Sequence, residues 1–220
     1  MRKVDGYRDR LRTLADWDSF LLEESRLPGR RANLELARAV SDEGDEKLFN
    51  RFLAFDAEKA PTNSPKEFLA FCGVLGLGRF LSEGNMEVLE KLRVWAADPR
   101  WRIREAVAMA LQRLGEVDMG SLLQEMEKWR QGNLLERRAA AAALCEPKLL
   151  HERAHVGRVL EILDEITASV GSIENRRSEE FRALRKGLGY CWSVAVAAYP
   201  ELGKKAMEKW FRSEDKDVLW

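Results

Sequence analysis

Residues 95–116 read WAADPRWRIREAVAMALQRLGE and predict a tight turn followed by an amphipathic helix. Asp98 can cap a helix, and the proline after it suits a first helical turn because proline has no backbone N–H to leave unsatisfied. Apolar residues then recur at three- and four-residue intervals, which places them on one helix face. They are Ile103, Val107, Ala110, Leu111 and Leu114. We expect Gly115 to end this helix.

The same pattern returns further along the chain. Residues 133–147, NLLERRAAAAALCEP, place Arg137 and Leu144 33 positions after Arg104 and Leu111. Further helices are predicted over residues 151–170 and 178–198, and another follows in the segment PELGKKAMEKWFRSED. One helix pair cannot bury its apolar face alone, so pairs recurring at this spacing are typical of a stacked array. We therefore predict an all-α, right-handed α-solenoid of about five antiparallel helix pairs.

The segment DPRWRIREAVAMAL resembles a HEAT repeat, a family of armadillo-like α-solenoids. That family places an aspartate at the turn between two helices and a Val/Ile–Arg pair at the start of the second. Asp98, Ile103 and Arg104 stand at the matching positions. The resemblance implies that Asp98 and Arg104 tie adjacent repeats together. It extends over residues 86–145 and is looser elsewhere.

The other copies depart from this pattern. In the second copy, Gln131 stands where the aspartate would align and Glu136 where the isoleucine would. A last partial copy, SEDKDVLW, places Asp215 at the turn and Trp220 at the isoleucine position. We therefore expect the last helix pair to be truncated.

The clearest linker is the segment EKAPTN. It separates a predicted N-terminal helical cap, residues 1–58, from a HEAT-like array over residues 64–220 that continues it as one solenoid. After the linker, Ser64 is a predicted N-cap, and Glu67 completes a capping box. Gly84 is expected to end that helix.

The composition excludes several classes of protein. There are 37 basic and 37 acidic residues, so the formal net charge is zero and no overall field draws the chain to nucleic acid or to an anionic membrane. No apolar run reaches about 18 residues and no secretory leader is visible, so we expect no membrane association. Cys72, Cys145 and Cys191 form no CxxC pair, which predicts buried free thiols in a reducing cytoplasm.

The segment LLHERAH contains HExxH, the helical signature of zinc peptidases. A zinc site needs two imidazoles one helical turn apart, a glutamate as general base and a third protein ligand. His151 and His155 are the only histidines, and Arg153 places a charge inside the motif. The carboxylates further along lie in a charged segment without the zinc-peptidase pattern. We therefore predict no metal and no cofactor, with His151 and His155 as the only metal-ligand candidates.

Tryptophans and arginines supply the binding candidates. Most of the seven tryptophans are expected to pack between repeats. Arginines gather around two consecutive turns. Two interpretations of this cluster are open: ion pairs and solvated faces, or an anion-binding strip on the inner surface. The side chains that we expect to line a partner- or anion-binding groove are Trp101, Arg102, Arg104, Arg137, Arg138 and Trp192.

The helix PRWRIREAVAMAL is also similar to a helix of the HEAT-like DNA alkylation-repair glycosylases. That family uses a concave basic surface, aromatic side chains and a carboxylate near the lesion. The resemblance implies that Arg104 or Arg138 contacts phosphate and that Trp101 faces the sugar. The family's catalytic aspartate lies in a Trp/Asp-rich segment. The nearest match here, Asp16–Trp17–Asp18, lies too far toward the N-terminus to align.

The chain carries no phosphate-binding glycine loop and no Ser-His-Asp set. We expect a non-catalytic HEAT-repeat scaffold that binds a protein partner along its concave face. The alternative is a DNA-binding glycosylase of the alkylation-repair type. A zinc hydrolase that uses the HExxH segment is the second alternative.

Overall fold

The structure is a computed structural model that describes residues 3–219. It confirms an all-α fold: this range holds twelve α-helices, three short 3₁₀ turns and no strand. The α-helices are α1 (Lys3–Arg12), α2 (Asp18–Glu24), α3 (Leu34–Glu43), α4 (Glu46–Leu53), α5 (Pro65–Ser82), α6 (Val88–Trp95), α7 (Trp101–Val117), α8 (Met119–Trp129), α9 (Leu134–Leu144), α10 (Arg153–Ala168), α11 (Glu179–Ala198) and α12 (Pro200–Met207). The 3₁₀ turns are Pro147–Leu149, Ser169–Ser172 and Trp210–Arg212. None of these helices is both long and apolar enough to cross a bilayer.

The described chain divides after Arg113 into two compact units, unit 1 and unit 2, and the boundary falls within α7. The predicted division near residues 58–64 falls in the loop between α4 and α5 and stays a prediction. Trp220, which the sequence places in a truncated last pair, lies outside the described residues.

Unit 1 is built around α5. This helix contacts α2, α3, α4 and α6, and α3 also packs on α1. Residues 67–78 of α5 are all buried, which explains why this segment is apolar on every side. The Ser64 hydroxyl accepts a hydrogen bond from the Glu67 amide over 3.3 Å, as the predicted cap requires. Gly84, with a φ of +96°, follows the end of α5.

Unit 2 places α9 against α8 and α11, and α10 against α8, α11 and α12. The alanine run of α9 is buried apart from half-buried Ala142, so small side chains allow α9 to approach its neighbours closely. The three cysteines are free and buried, as predicted. Burial raises the pKa of the Cys72 and Cys145 thiols, which keeps them protonated at neutral pH.

Helix α7 carries the predicted apolar face, and all five of its predicted members are buried. The prediction that Gly115 ends the helix is wrong, because α7 continues to Val117. A Cβ atom on Gly115 would lie 2.7 Å from Leu122 and 2.8 Å from Leu149, so glycine permits close packing here. Asp118 then caps α8 by accepting a hydrogen bond from the Ser121 amide.

Candidate functional site

The turn before α7 is held by a buried arginine. The carboxylate of Asp98 accepts hydrogen bonds from the Arg100 amide at 2.8 Å and from its Nε at 2.9 Å. Arg100 Nη1 donates to the carbonyl oxygens of Phe55, Asp56 and Ala60 at 3.0–3.1 Å. Arg100 therefore connects this turn to the loop between α4 and α5. The HEAT resemblance did not single out this residue.

Arg104 acts on the same turn more locally. Its Nη1 donates to the backbone carbonyl of Asp98 at 2.7 Å and to that of Pro99 at 2.9 Å. The Asp98 carboxylate is occupied by Arg100. The link to the preceding loop is therefore made by Arg100, while Arg104 stabilises the backbone of the turn.

Arg102 is buried in unit 1, although the sequence makes it a groove candidate. Its Nη1 lies 3.0 Å from the Glu67 carboxylate, and its Nη2 donates to the Asn63 side chain and to the Gly29 carbonyl. A ligand would have to break these bonds to reach the guanidinium. Trp101 beside it is 46% exposed, and the Arg102 guanidinium lies 4.4 Å from its ring centroid. Of these two neighbours, only the tryptophan presents an open surface.

The candidates of unit 2 are less buried, with one exception. Arg137 and Arg138 are half-buried, and Arg137 Nη1 donates to Ser169 Oγ at 3.1 Å. The Arg138 side chain crosses α11 at Gly187, where a Cβ atom would lie 3.3 Å from Arg138 Cγ. Trp192 is buried on α11, and its Nε1 donates to Thr167 Oγ1 at 2.9 Å.

The HExxH segment does not form one helical turn. Helix α10 begins at Arg153, so His151 precedes it, and the His151 carbonyl accepts a hydrogen bond from the Tyr199 hydroxyl at 2.7 Å. His155 lies within α10, with its Nδ1 3.6 Å from the Glu152 carboxylate. Among residues 3–219, no group of three histidine, cysteine or acidic side chains is placed to hold a metal ion.

An apolar groove of about 670 Å³ lies in unit 2 between α11, α12 and residues 210–219. Aromatic and aliphatic side chains form most of its surface, namely Leu188, Trp192, Val196, Met207, Trp210, Phe211, Val218 and Leu219. Phe211 is 69% exposed. Its charged lining side chains are Arg185, Lys204 and Asp217, and Arg185 pairs with Asp217. The groove combines apolar surface with charged side chains of both signs, and of its members only Trp192 is a groove candidate from the sequence.

A second cavity of unit 2, of about 470 Å³, is lined only by basic side chains among the described residues. This basic cavity consists of Arg176, Arg177, Arg182, Arg185 and Lys186. Arg176 binds the Asp215 carboxylate at 2.7 Å, which lowers the pKa of Asp215. Arg185 pairs with Asp217. The sequence shows these five cations, but the loop and the helix must be folded together before they share one cavity.

Comparisons with protein-family models, with curated proteins and with solved structures give no match for this chain. Function is therefore inferred from the apolar groove and the basic cavity of unit 2 and from the exposed face of α7.

Proposed function

We propose that this chain is a non-catalytic HEAT-like repeat scaffold that binds an amphipathic segment of a protein partner. The packing order supports the repeat assignment. In unit 1, α3 contacts both α1 and α5. In unit 2, α10 contacts both α8 and α12. When each helix pair of a repeat array packs on the next, every second helix contacts its neighbour in the stack, as it does here.

The turns also support repetition. Asp98 Oδ1 accepts a hydrogen bond from the amide two residues later, at 2.8 Å, and Asp215 Oδ1 does the same at 3.0 Å. Each carboxylate also binds an arginine, Arg100 in unit 1 and Arg176 in unit 2. Both arginines also donate to backbone carbonyls outside the turn: Arg100 to Phe55 in the loop before α5, and Arg176 to Val170 in the 3₁₀ turn Ser169–Ser172. The same turn chemistry thus occurs in both units.

The apolar groove is the observation that carries the binding proposal. Its aromatic and aliphatic lining suits the apolar face of a partner helix, because such helices dock their apolar side chains into grooves of this kind. Lys204 is exposed and makes no ion pair within residues 3–219, so it favours an acidic side chain on the partner, whereas Arg185 is already paired with Asp217. The partner is therefore an amphipathic segment with leucine-like anchors and acidic flanks.

The test uses three fluorescein-labelled peptides: one with leucines on one helix face and glutamates on the other, one with lysines in place of the glutamates, and a scrambled acidic peptide. Anisotropy titrations should give the acidic amphipathic peptide at least about tenfold tighter binding than either control. Phe211→Ala should weaken that binding, because Phe211 lines the groove and is exposed. Val94→Ala is the matched control, since Val94 is 74% exposed and does not line the groove. Equal binding of the acidic and scrambled peptides would remove the proposal.

A DNA-lesion glycosylase is the second candidate function, and the exposed face of α7 favours it. Trp101 is exposed, and Glu105, one turn further along, is half-buried. An aromatic surface beside a carboxylate is what the resemblance to alkylation-repair glycosylases implies. Release of methylated purine from duplex DNA should then fall at least about 100-fold in Glu105→Gln. No release by the unaltered protein, together with no DNA binding at low salt, would remove this candidate.

A further inference from the structure

The apolar groove and the basic cavity of unit 2 share one side chain. Arg185 on α11 lines both, so the two cavities adjoin at this side chain and at its ion pair with Asp217. The two cavities therefore form one surface with an apolar part and a cationic end. This inference rests on the proposed function, because it concerns what the same partner segment carries at that end.

The positive charge of the basic cavity is only partly neutralised. Arg176 binds Asp215 at 2.7 Å and Asp217 at 3.1 Å, and Arg185 also binds Asp217. These two arginines hold residues 213–219 in place. The other three cations of the cavity are exposed and make no ion pair within residues 3–219; they are Arg177, Arg182 and Lys186.

We propose that the basic cavity binds the phosphate of a phosphorylated serine or threonine in the partner segment. A phosphate monoester carries a charge of about −1.5 to −2 at neutral pH and presents three acceptor oxygens. Arg177 and Arg182 supply planar guanidinium groups that bind such oxygens in pairs, and Lys186 adds a compact charge. A single carboxylate would leave most of this positive charge without a partner.

The shape of the surface favours a phosphopeptide over nucleic acid. Proteins that bind a nucleic acid strand place cations along its whole backbone. Here the cations of the basic cavity lie at one end, in residues 176–186, and the surface that follows is lined mainly by apolar side chains. One anionic group followed by apolar anchors matches this order.

The length of α11 fixes the spacing within the partner. Arg182 and Trp192 are ten residues apart on this helix, which corresponds to about 15 Å along its axis. A helical partner would therefore place its phosphate about ten residues from its apolar anchor. An extended partner would need a separation of about four to five residues.

The experiment uses the full chain and two versions of the acidic amphipathic peptide. One carries a serine about ten residues from its apolar anchor, and the other carries a serine about four to five residues from it. Each peptide is made with phosphoserine, serine or glutamate and titrated by anisotropy. One phosphoserine peptide should bind about 10- to 100-fold tighter than its serine form, and glutamate should recover only a small part of that gain. Arg182→Gln with Lys186→Gln should abolish the gain. Lys148→Gln, an exposed lysine outside both cavities, should retain it.

The outcomes separate this inference from the proposed function. If serine and phosphoserine peptides bind equally and both require Phe211, the phosphate site is wrong and the groove stands. If no peptide binds, both are wrong. Displacement by inorganic phosphate at concentrations near those of the phosphopeptide would mean that the cavity binds the free anion and would overturn the inference. Tighter binding of single-stranded or duplex DNA, lost in the same double variant, would overturn it in favour of nucleic acid.

Discussion

The carboxylate of Glu67 accepts a hydrogen bond from Arg102 Nη1 over 3.0 Å, and neither side chain is more than 5% exposed. Glu67 also accepts a hydrogen bond from the Asn63 amide at 2.7 Å, and Arg102 reaches the Gly29 carbonyl. This buried pair therefore joins the start of α5 to the start of α7 and to the loop before α3. Removing one member leaves the other charge buried without its partner.

Arg102→Met should lower the free energy of unfolding by about 3–5 kcal/mol, because Glu67 would keep its burial and lose its counter-charge. Urea denaturation at neutral pH measures this loss. Arg102→Met combined with Glu67→Leu should restore part of the stability, since no buried charge would then remain unpaired.

The control is an ion pair whose cation is exposed. Lys128 lies 2.5 Å from Glu125, and its side chain is 60% exposed. Lys128→Met should cost less than about 1 kcal/mol, because solvent screens such pairs. Similar losses for Arg102→Met and Lys128→Met would show that burial adds nothing at Glu67.

Gly78→Ala should destabilise the protein by about 1–3 kcal/mol, because α5 and α7 are in backbone contact at this point. A Cβ atom on Gly78 would lie 2.6 Å from Ala110 Cα and 2.8 Å from Ala110 O. Neither atom belongs to a flexible side chain, so the helices would have to separate. Thermal unfolding followed by circular dichroism measures the loss.

The matched substitution for Gly78→Ala is Gly157→Ala in α10. A Cβ atom there would meet nothing within 4 Å. Alanine favours the helix over glycine, so this variant should gain about 0.5–1 kcal/mol. The free energy of unfolding should therefore fall in Gly78→Ala and rise in Gly157→Ala. A neutral or stabilising Gly78→Ala would contradict the close approach of α5 and α7.

The pH dependence of stability should include a contribution from Glu43. Arg12 donates two hydrogen bonds to its carboxylate, at 2.7 and 2.8 Å, and Arg8 donates a third. These bonds, with that from Arg12 largest, lower the pKa of Glu43 in the folded protein. The contribution is therefore present above the unfolded pKa and is lost as the pH falls through the folded one.

Glu43→Gln should accordingly cost about 1 kcal/mol at neutral pH and almost nothing once the pH lies below the folded pKa of Glu43. The cost is small because solvent screens Arg12, which is 54% exposed. Urea titrations of both proteins at neutral and at strongly acid pH test the sign. If Glu43→Gln lost the same stability at both pH values, the ionisation of Glu43 would not contribute to the pH dependence of stability.

The local parts of the fold were predictable from sequence. Ser64 and Gly84 bound α5 as predicted, because caps and left-handed glycines act on neighbouring residues. The buried face of α7 followed from its apolar spacing. The role of Gly115 did not, because Leu149, one of the two leucines packed against it, is far along the chain.

The partners of the arginines were not predictable. Arg102 donates to Gly29, which is 73 residues away, and Arg100 donates to Phe55, which is 45 residues away. Sequence shows the charge, but it does not show which loop carbonyl will lie opposite. For the same reason, the apolar groove and the basic cavity were not predictable, since Arg176 and Asp217 come together only when residues 213–219 fold back.

The HExxH segment should bind no zinc, and this prediction follows from where α10 begins. A zinc peptidase holds its two histidines one turn apart on a helix, whereas His151 lies before the first residue of α10. A site with zinc at 100 times its Kd would add about 2.7 kcal/mol to stability. We expect no change in the midpoint of thermal unfolding on adding zinc or chelator, either in the unaltered protein or in His155→Ala. A zinc-dependent rise in the unaltered protein that disappears in His155→Ala would show that the segment forms a metal site after all.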